Sequence, residues 1–123
     1  MGGVDRGALG QRAEQLCAEA LERRGYRVRD RNWRTREGEL DIVAENEDTV
    51  CFVEVRMRTT DTWGDPSSTV SRVKQQRVIR AALRYLQRRP PGQRMIRFDV
   101  MTVVGQGKDA AVEHLPAAFD AGM

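Results

Sequence analysis

The 123 residues contain one histidine, His114, and two cysteines, Cys17 and Cys51, far apart in the chain. No zinc-ligand set can be assembled from that inventory. Cys17 falls on a predicted helix and Cys51 on a predicted buried strand, which fits reduced, packed thiols. No stretch approaches the roughly 18–20 apolar residues of a membrane span, and the N-terminal stretch has no apolar signal core. The expected location is the cytoplasm, with no membrane partner. Internal repeats, low-complexity tracts and linkers are absent too, so residues 1–123 are expected to form a single domain. Lysine is almost missing: Lys74 and Lys108 are the only two, and every other basic residue is arginine.

What is present is 40% hydrophobic and 32% charged, the balance of a globular protein with a heavily charged surface. The net charge of +3 and pI near 9.3 hint at an anionic partner. Arginine suits bidentate phosphate contacts, although a genome-wide composition bias gives the same excess.

The most informative stretch runs from Gly38 to Arg58. Two candidate strands, Glu39 to Glu45 and Thr49 to Arg58, flank a polar turn, and both alternate with period two. One face carries Leu40, Ile42 and Ala44, then Cys51, Val53, Val55 and Met57. The other carries Glu39, Asp41, Val43 and Glu45, then Val50, Phe52, Glu54 and Arg56. Asp41 and Glu54 thus sit among apolar neighbours, where a carboxylate is costly unless paired. A four-residue hairpin loop over Asn46 to Thr49 places Glu45 opposite Val50, Val43 opposite Phe52, Asp41 opposite Glu54 and Glu39 opposite Arg56. Like charges opposed in this way destabilise a sheet. A proton or a divalent cation between them relieves the cost.

Around this hairpin, apolar spacing predicts a helix over 6–24, ended by Gly25 in a left-handed cap. Glu14 lies on the shoulder of its buried face. A first strand covers 26–34, followed by a charged turn to Gly38. A loop over 59–68 holds Trp63, whose ring is a candidate for stacking on a base. A second helix is predicted over 69–88. Its apolar face is Val78, Ala81, Ala82, Tyr85 and Leu86, with Arg77, Arg80, Arg84 and Arg88 opposite. That stripe is a solvated face or a track for a phosphate backbone. Lys74 projects from the edge of the apolar face, towards the sheet. Residues 96–104 form a predicted interior strand containing Asp99. An edge strand over 111–115 and a short helix over 116–121 are expected to close the chain. The expected class is α/β, a mixed sheet flanked by helices, in the order αβββαβ with a short β and α tail.

Two carboxylates, a third from a helix and a nearby cation match hydrolytic sites built around Mg²⁺ or Mn²⁺, with one or two ions. Asp41 and Glu54 are the candidate direct ligands. Glu14 and Glu39 are candidates for a water-mediated contact or a second ion. Arg56, two positions after Glu54, is placed to steady developing phosphate charge.

The motif series then resembles a known family. Glu14, Gly25-Tyr26, Arg31-Asn32-Trp33-Arg34, Gly38 to Val43, Phe52 to Arg58, Lys74, Ala81 to Leu86 and Arg97 to Val100 are similar to the YraN family of small bacterial proteins. The resemblance covers roughly residues 6 to 120. It implies the three-layer restriction-endonuclease-like fold of the PD-(D/E)xK superfamily, with likeness to Holliday-junction resolvases. It also implies a metal-dependent nuclease acting on DNA, and a homodimer by analogy. Carried over by residue, the metal-binding acids fall on Asp41 and Glu54, the helix glutamate on Glu14 and the catalytic lysine on Arg56. That last position departs from the family pattern, because arginine stays charged and cannot release a proton. Lys74 is the candidate replacement.

Candidate nucleic-acid contacts are Arg34, Arg36, Arg58, Trp63, Arg77, Arg80 and Arg84. Two rival expectations stand beside the nuclease: a nucleic-acid-binding domain with a degenerate site, and an interaction domain in which Asp41, Glu54 and Arg56 form a salt-bridge network.

Overall fold

The computed structural model describes residues 6–58, 70–105 and 107–121. Helix α1 (Arg6–Arg23) leads into strands β1 (Arg27–Arg34), β2 (Glu39–Glu45) and β3 (Thr49–Arg58). Helix α2 (Arg72–Arg88) then crosses over to β4 (Met95–Val104), and after a 3₁₀ turn at Gly107–Asp109 comes β5 (Ala111–Phe119). The five strands form one sheet in sequence order, with β3 and β4 parallel and the other pairs antiparallel. This is the expected mixed α/β sheet between helical layers.

Local chemistry explains the element ends. Gly25 has φ +90°, and the amides of Gly25 and Tyr26 reach back to Glu22 and Leu21, closing α1 with a Schellman motif. Asn46 Oδ1 accepts from the amides of Asp48 and Thr49, which fixes the β2–β3 loop. Ser71 Oγ accepts from the Lys74 amide, so α2 begins at Arg72 behind a serine cap, later than expected.

Each face of the sheet has its own core. Between α1 and the sheet pack Cys17, Leu21, Ile42, Ala44, Cys51, Val53 and Met101. Between α2 and the sheet pack Leu40, Val43, Phe52, Val78, Ala81, Tyr85 and Phe98. Rings continue this second layer from strand to strand, Trp33 on Tyr85, Tyr85 on Phe52, Phe52 on Phe98 and Phe98 on Phe119, at 5.3–5.8 Å between centroids. Burying each such side chain contributes about 1.5–3 kcal/mol. Both cysteines are buried and free, and burial pushes the Cys17 thiol up to about 12.

Three expectations need correction. Leu40 belongs to the α2 core, not to the face of Ile42 and Ala44. The opposition of Glu39 and Arg56 does not form: Glu39 pairs with Arg34 on β1, and Arg56 with Thr102 on β4. The terminal helix is replaced by strand. Proline suits the first turn of a helix, but here Pro116 sits at a bulge where Ala117 takes φ +53° and β5 continues to Phe119.

That bulge serves a buried acid. Asp99 is fully buried and accepts from Arg97 Nε (2.9 Å), Cys51 Sγ (2.9 Å) and the Ala117 amide (3.0 Å). His114 Nε2 lies 2.7 Å from Asp99, while its Nδ1 faces Arg24 Nη1 at 2.5 Å. A guanidinium only donates, so Nδ1 is the acceptor and Nε2 carries the hydrogen. Burial works against the Asp99 anion, but His114 and Arg97 win and hold its carboxyl far below the usual range.

Glu45 is a second buried acid, 3% exposed, clamped by Arg27 and Arg29 at 2.5 Å each and by Arg94. Burial raises its pKa, yet the three arginines together lower it from 4.5 to about 2. Its contribution to stability is therefore full above about pH 4.5 and lost as pH falls towards 2. Asp99→Ala leaves His114, the buried Cys51 and the Ala117 amide without their acceptor and is expected to cost about 3 kcal/mol, read as a lower urea midpoint at unchanged m-value.

Candidate active site

The site forms where β2 parts from β3. The β2–β3 ladder runs from Glu45↔Val50 to Ile42↔Val53 and stops. One residue further, Asp41 Oδ2 accepts from the Val55 amide at 2.9 Å, so a side chain takes over from the backbone ladder. On the other side of β2, Asn32 and Asp41 fall between the matched pairs Arg31↔Ile42 and Trp33↔Leu40. Asn32 has φ +53°, a conformation that asparagine tolerates better than most residues. Side-chain alternation resets across this point, which is why Leu40 and Ile42 face different cores.

Asp41 and Glu54 line one hollow of about 550 Å³ with Lys74, Arg34, Arg77 and Glu39. Glu54 is 2% exposed and receives Lys74 Nζ on Oε1 at 2.7 Å. The inward projection of Lys74 therefore stands, and the lysine comes from the first turn of α2 (Ser71 and Val73 line the same hollow). Burial is the main reason the Asp41 carboxyl rises from 3.8 to about 7, followed by the charge of Glu54. The Val55 amide and Lys74 oppose the rise, and Glu14 adds to it.

Glu14 reaches this place from the α1 side. It accepts from Asn32 Nδ2 at 2.8 Å and lies 3.7 Å from Arg31, with its side chain 12% exposed. Glu39 lines the hollow but is paired with Arg34 at 2.8 Å. Among the described residues, no three acidic, histidine or cysteine side chains converge tightly enough to hold a metal ion by themselves. The donor set that does fit is the pair Asp41 and Glu54. Mg²⁺ commonly uses one or two protein carboxylates and fills its other positions with water and phosphate.

The remaining predicted residues separate. Arg56 is half-buried on β3 beyond Glu54, does not line the hollow, and among the described residues has no side-chain partner. The buried network of Asp41, Glu54 and Arg56 is thus not formed; Lys74 is the partner of Glu54. Arg58 turns away to Glu113 at 2.8 Å, beside an apolar hollow of about 340 Å³ between α1 and the ends of β3 and β4. Arg77 lines the acid hollow, while Arg36 and Arg84 line its neighbour, where Arg84 pairs with Glu37 at 3.1 Å. Arg80 stays on the exposed face of α2, and Trp63 lies outside the described residues.

Sequence reading missed Asn32, Thr35, Gly38 and Ser71. The usable signals were an asparagine inside a strand and a glycine between two glutamates. A Cβ on Gly38 would stand 2.6 Å from the Arg77 carbonyl oxygen, so this glycine sets how closely α2 approaches β2.

The fold and site define an α/β protein with a mixed five-stranded sheet and a carboxylate pair at the β2–β3 divergence, closed by a helix-borne lysine. The Uncharacterised protein family UPF0102 matches residues 13–103. A UPF0102 protein of Myxococcus xanthus (strain DK1622) is 59% identical over 120 residues, covering 98% of this chain and 95% of that one. One from Anaeromyxobacter dehalogenans (strain 2CP-C) is 44% identical, covering 96% and 88%, and one from Geobacter metallireducens (strain ATCC 53774 / DSM 7210 / GS-15) is 39% identical, covering 92% and 93%. The chain belongs to the UPF0102 family, the family of the YraN resemblance. Among the described residues, no helix is long and apolar enough to cross a membrane.

Two outcomes are expected from this geometry. The folded state binds the Asp41 proton more tightly than the unfolded chain does, so stability falls as pH rises from about 4 to about 7. Asp41→Asn removes that slope and raises stability at pH 8 by about 1–2 kcal/mol, measured as melting temperature across pH 4–8. Gly38→Ala forces α2 away from the site and lowers stability by about 1–3 kcal/mol, read in the same melts.

Proposed function

We propose that this protein is a metal-dependent nuclease that hydrolyses phosphodiester bonds in DNA, with Asp41 and Glu54 as the metal-binding pair. The observation that carries the reading is an aspartate held near pH 7 beside a buried glutamate whose one cationic partner among the described residues is a lysine. A half-buried aspartate and a buried glutamate beside one lysine leave the site short of positive charge, and a bound cation relieves that shortage.

Bound between these acids, Mg²⁺ or Mn²⁺ supplies neutralisation of phosphate charge and a water of lowered pKa. The chain's own residues do the rest. Asp41 is fixed by the Val55 amide, so its other carboxylate oxygen keeps a set direction. Lys74, half-exposed at the mouth of the hollow, pairs with Glu54 and leaves it for the substrate phosphate. Arg34 and Arg77 flank the opening and offer guanidinium contacts to neighbouring phosphates. Glu14 adds negative charge from the α1 side, as a water-mediated contact.

A second reading, a nucleic-acid binder that does not cut, is favoured by Arg56. The lysine position of the resembled superfamily is filled by a group that cannot exchange a proton and that stands outside the hollow.

The deciding measurement is a cleavage screen with Mn²⁺ on branched, flapped and linear DNA, beside direct metal titration by calorimetry. Asp41→Ala is expected to abolish both cleavage and metal heat. Lys74→Ala is expected to keep the metal heat and lower the cleavage rate about 100-fold or more. Full cleavage by Asp41→Ala sinks the nuclease reading; metal heat without cleavage in the wild type supports the binder.

A further inference from the structure

The acid hollow has a neighbour of about 350 Å³ between α2 and the β1–β2 turn. Arg34 and Thr35 line both. The turn itself crosses α2 between them: Gly38 packs on the Arg77 backbone, Lys74 and Arg77 line one side, and Arg84 and Arg88 line the other. The two hollows are therefore consecutive stretches of one track along α2.

The second stretch is strongly one-signed. Arg34, Arg36, Arg84 and Arg88 line it with a single acid, Glu37, which is engaged by Arg84 through both Nε and Nη2 at 3.1 Å. Trp33 also lines it, its ring held edge-on by Tyr85 at 5.3 Å between centroids. Guanidinium groups beside an indole ring suit phosphates interleaved with bases.

Resting on the reading of the acid pair as a nucleic-acid site, we infer that a single strand crosses the Thr35 turn into this second hollow, where Arg36, Arg84 and Arg88 take its phosphates and Glu37 competes for Arg84. A duplex is too wide to enter a hollow of this size and would meet only the outer ridge of α2. From Lys74 to Arg88 the helix rises about 21 Å. That length spans several nucleotides of an extended single strand. Occupancy of the whole track therefore demands an oligonucleotide rather than a nucleotide.

The test is fluorescence anisotropy with labelled thymidine oligomers in EDTA, where binding is separated from metal chemistry. A dodecamer is expected to bind at least tenfold tighter than a trimer. Arg36→Ala/Arg88→Ala weakens the dodecamer about tenfold and lowers the salt slope by about 1.4, at roughly 0.7 per lost phosphate contact. Glu37→Gln tightens it about threefold, a gain that mere structural damage would not produce. Melting curves confirm that the variants fold. Unchanged affinity and slope in the double variant overturn the track, as does tighter binding of a blunt duplex than of the dodecamer. Equal binding of an acidic decapeptide overturns it as well. Loss of Mn²⁺-dependent cleavage with this binding pattern intact removes the nuclease reading alone and leaves the track standing.

Discussion

The hydrogen bond from the Val55 amide to Asp41 Oδ2 is the constraint on which the site depends. It ends the β2–β3 ladder and lets the two strands diverge. It also holds a carboxylate where burial and Glu54 disfavour its charge. A backbone carbonyl in the same place would have continued the sheet and left no hollow. A backbone amide is a compulsory donor, so the acid cannot simply rotate out to water without orphaning it. Everything else at this end, including the lysine on Glu54 and the close approach of α2 at Gly38, fits around that substitution of side chain for main chain.

The sheet treats its buried acids in opposite ways at its two ends. Glu45 and Asp99 each have several donors, and their carboxyls are held well below the usual range. Asp41 has one amide and a shared lysine, and its carboxyl is held well above it. The first ties β1 and β2 to the segment before β4, and the second ties β3, β4 and β5, with charges that are already satisfied. The third is left short of positive charge. Such an imbalance is tolerable because α1, α2 and the satisfied clusters fix the strands on which it sits.

Much of this was legible in the chain. The bounds of β2 and β3 followed from strict alternation around a turn that Asn46 caps, and the inward lysine followed from its place one turn before Val78. Local patterns failed where side chains from distant positions replace local preference. Leu40 and Ile42 face different cores across Asp41, at the point where Asn32 on the neighbouring strand adopts a left-handed conformation. Pro116 reads as the start of a helix, yet the demand of Asp99 for the Ala117 amide keeps the segment in the sheet. The network of Cys51, Asp99, Arg97 and His114 spans three strands, and no spacing rule could have assembled it. Arg56 was placed correctly on its strand but not beside the acids, because Glu39 pairs with Arg34 on β1 and Arg56 with Thr102 on β4.

The crossover made by α2 has a consequence for how the molecule is assembled. Strands β2 and β3 are neighbours in sequence and can close as a hairpin on the microsecond scale. The parallel pairing of β3 with β4 must await closure of a loop that includes the whole helix, a slower step. In the hairpin alone Asp41 and Glu54 still face water, and their repulsion is weak. Only when α2 docks do Lys74 and the dry wall of the second core arrive together. The electrostatic tension of the site is thus a late product of folding, imposed by the same step that supplies its counter-ion.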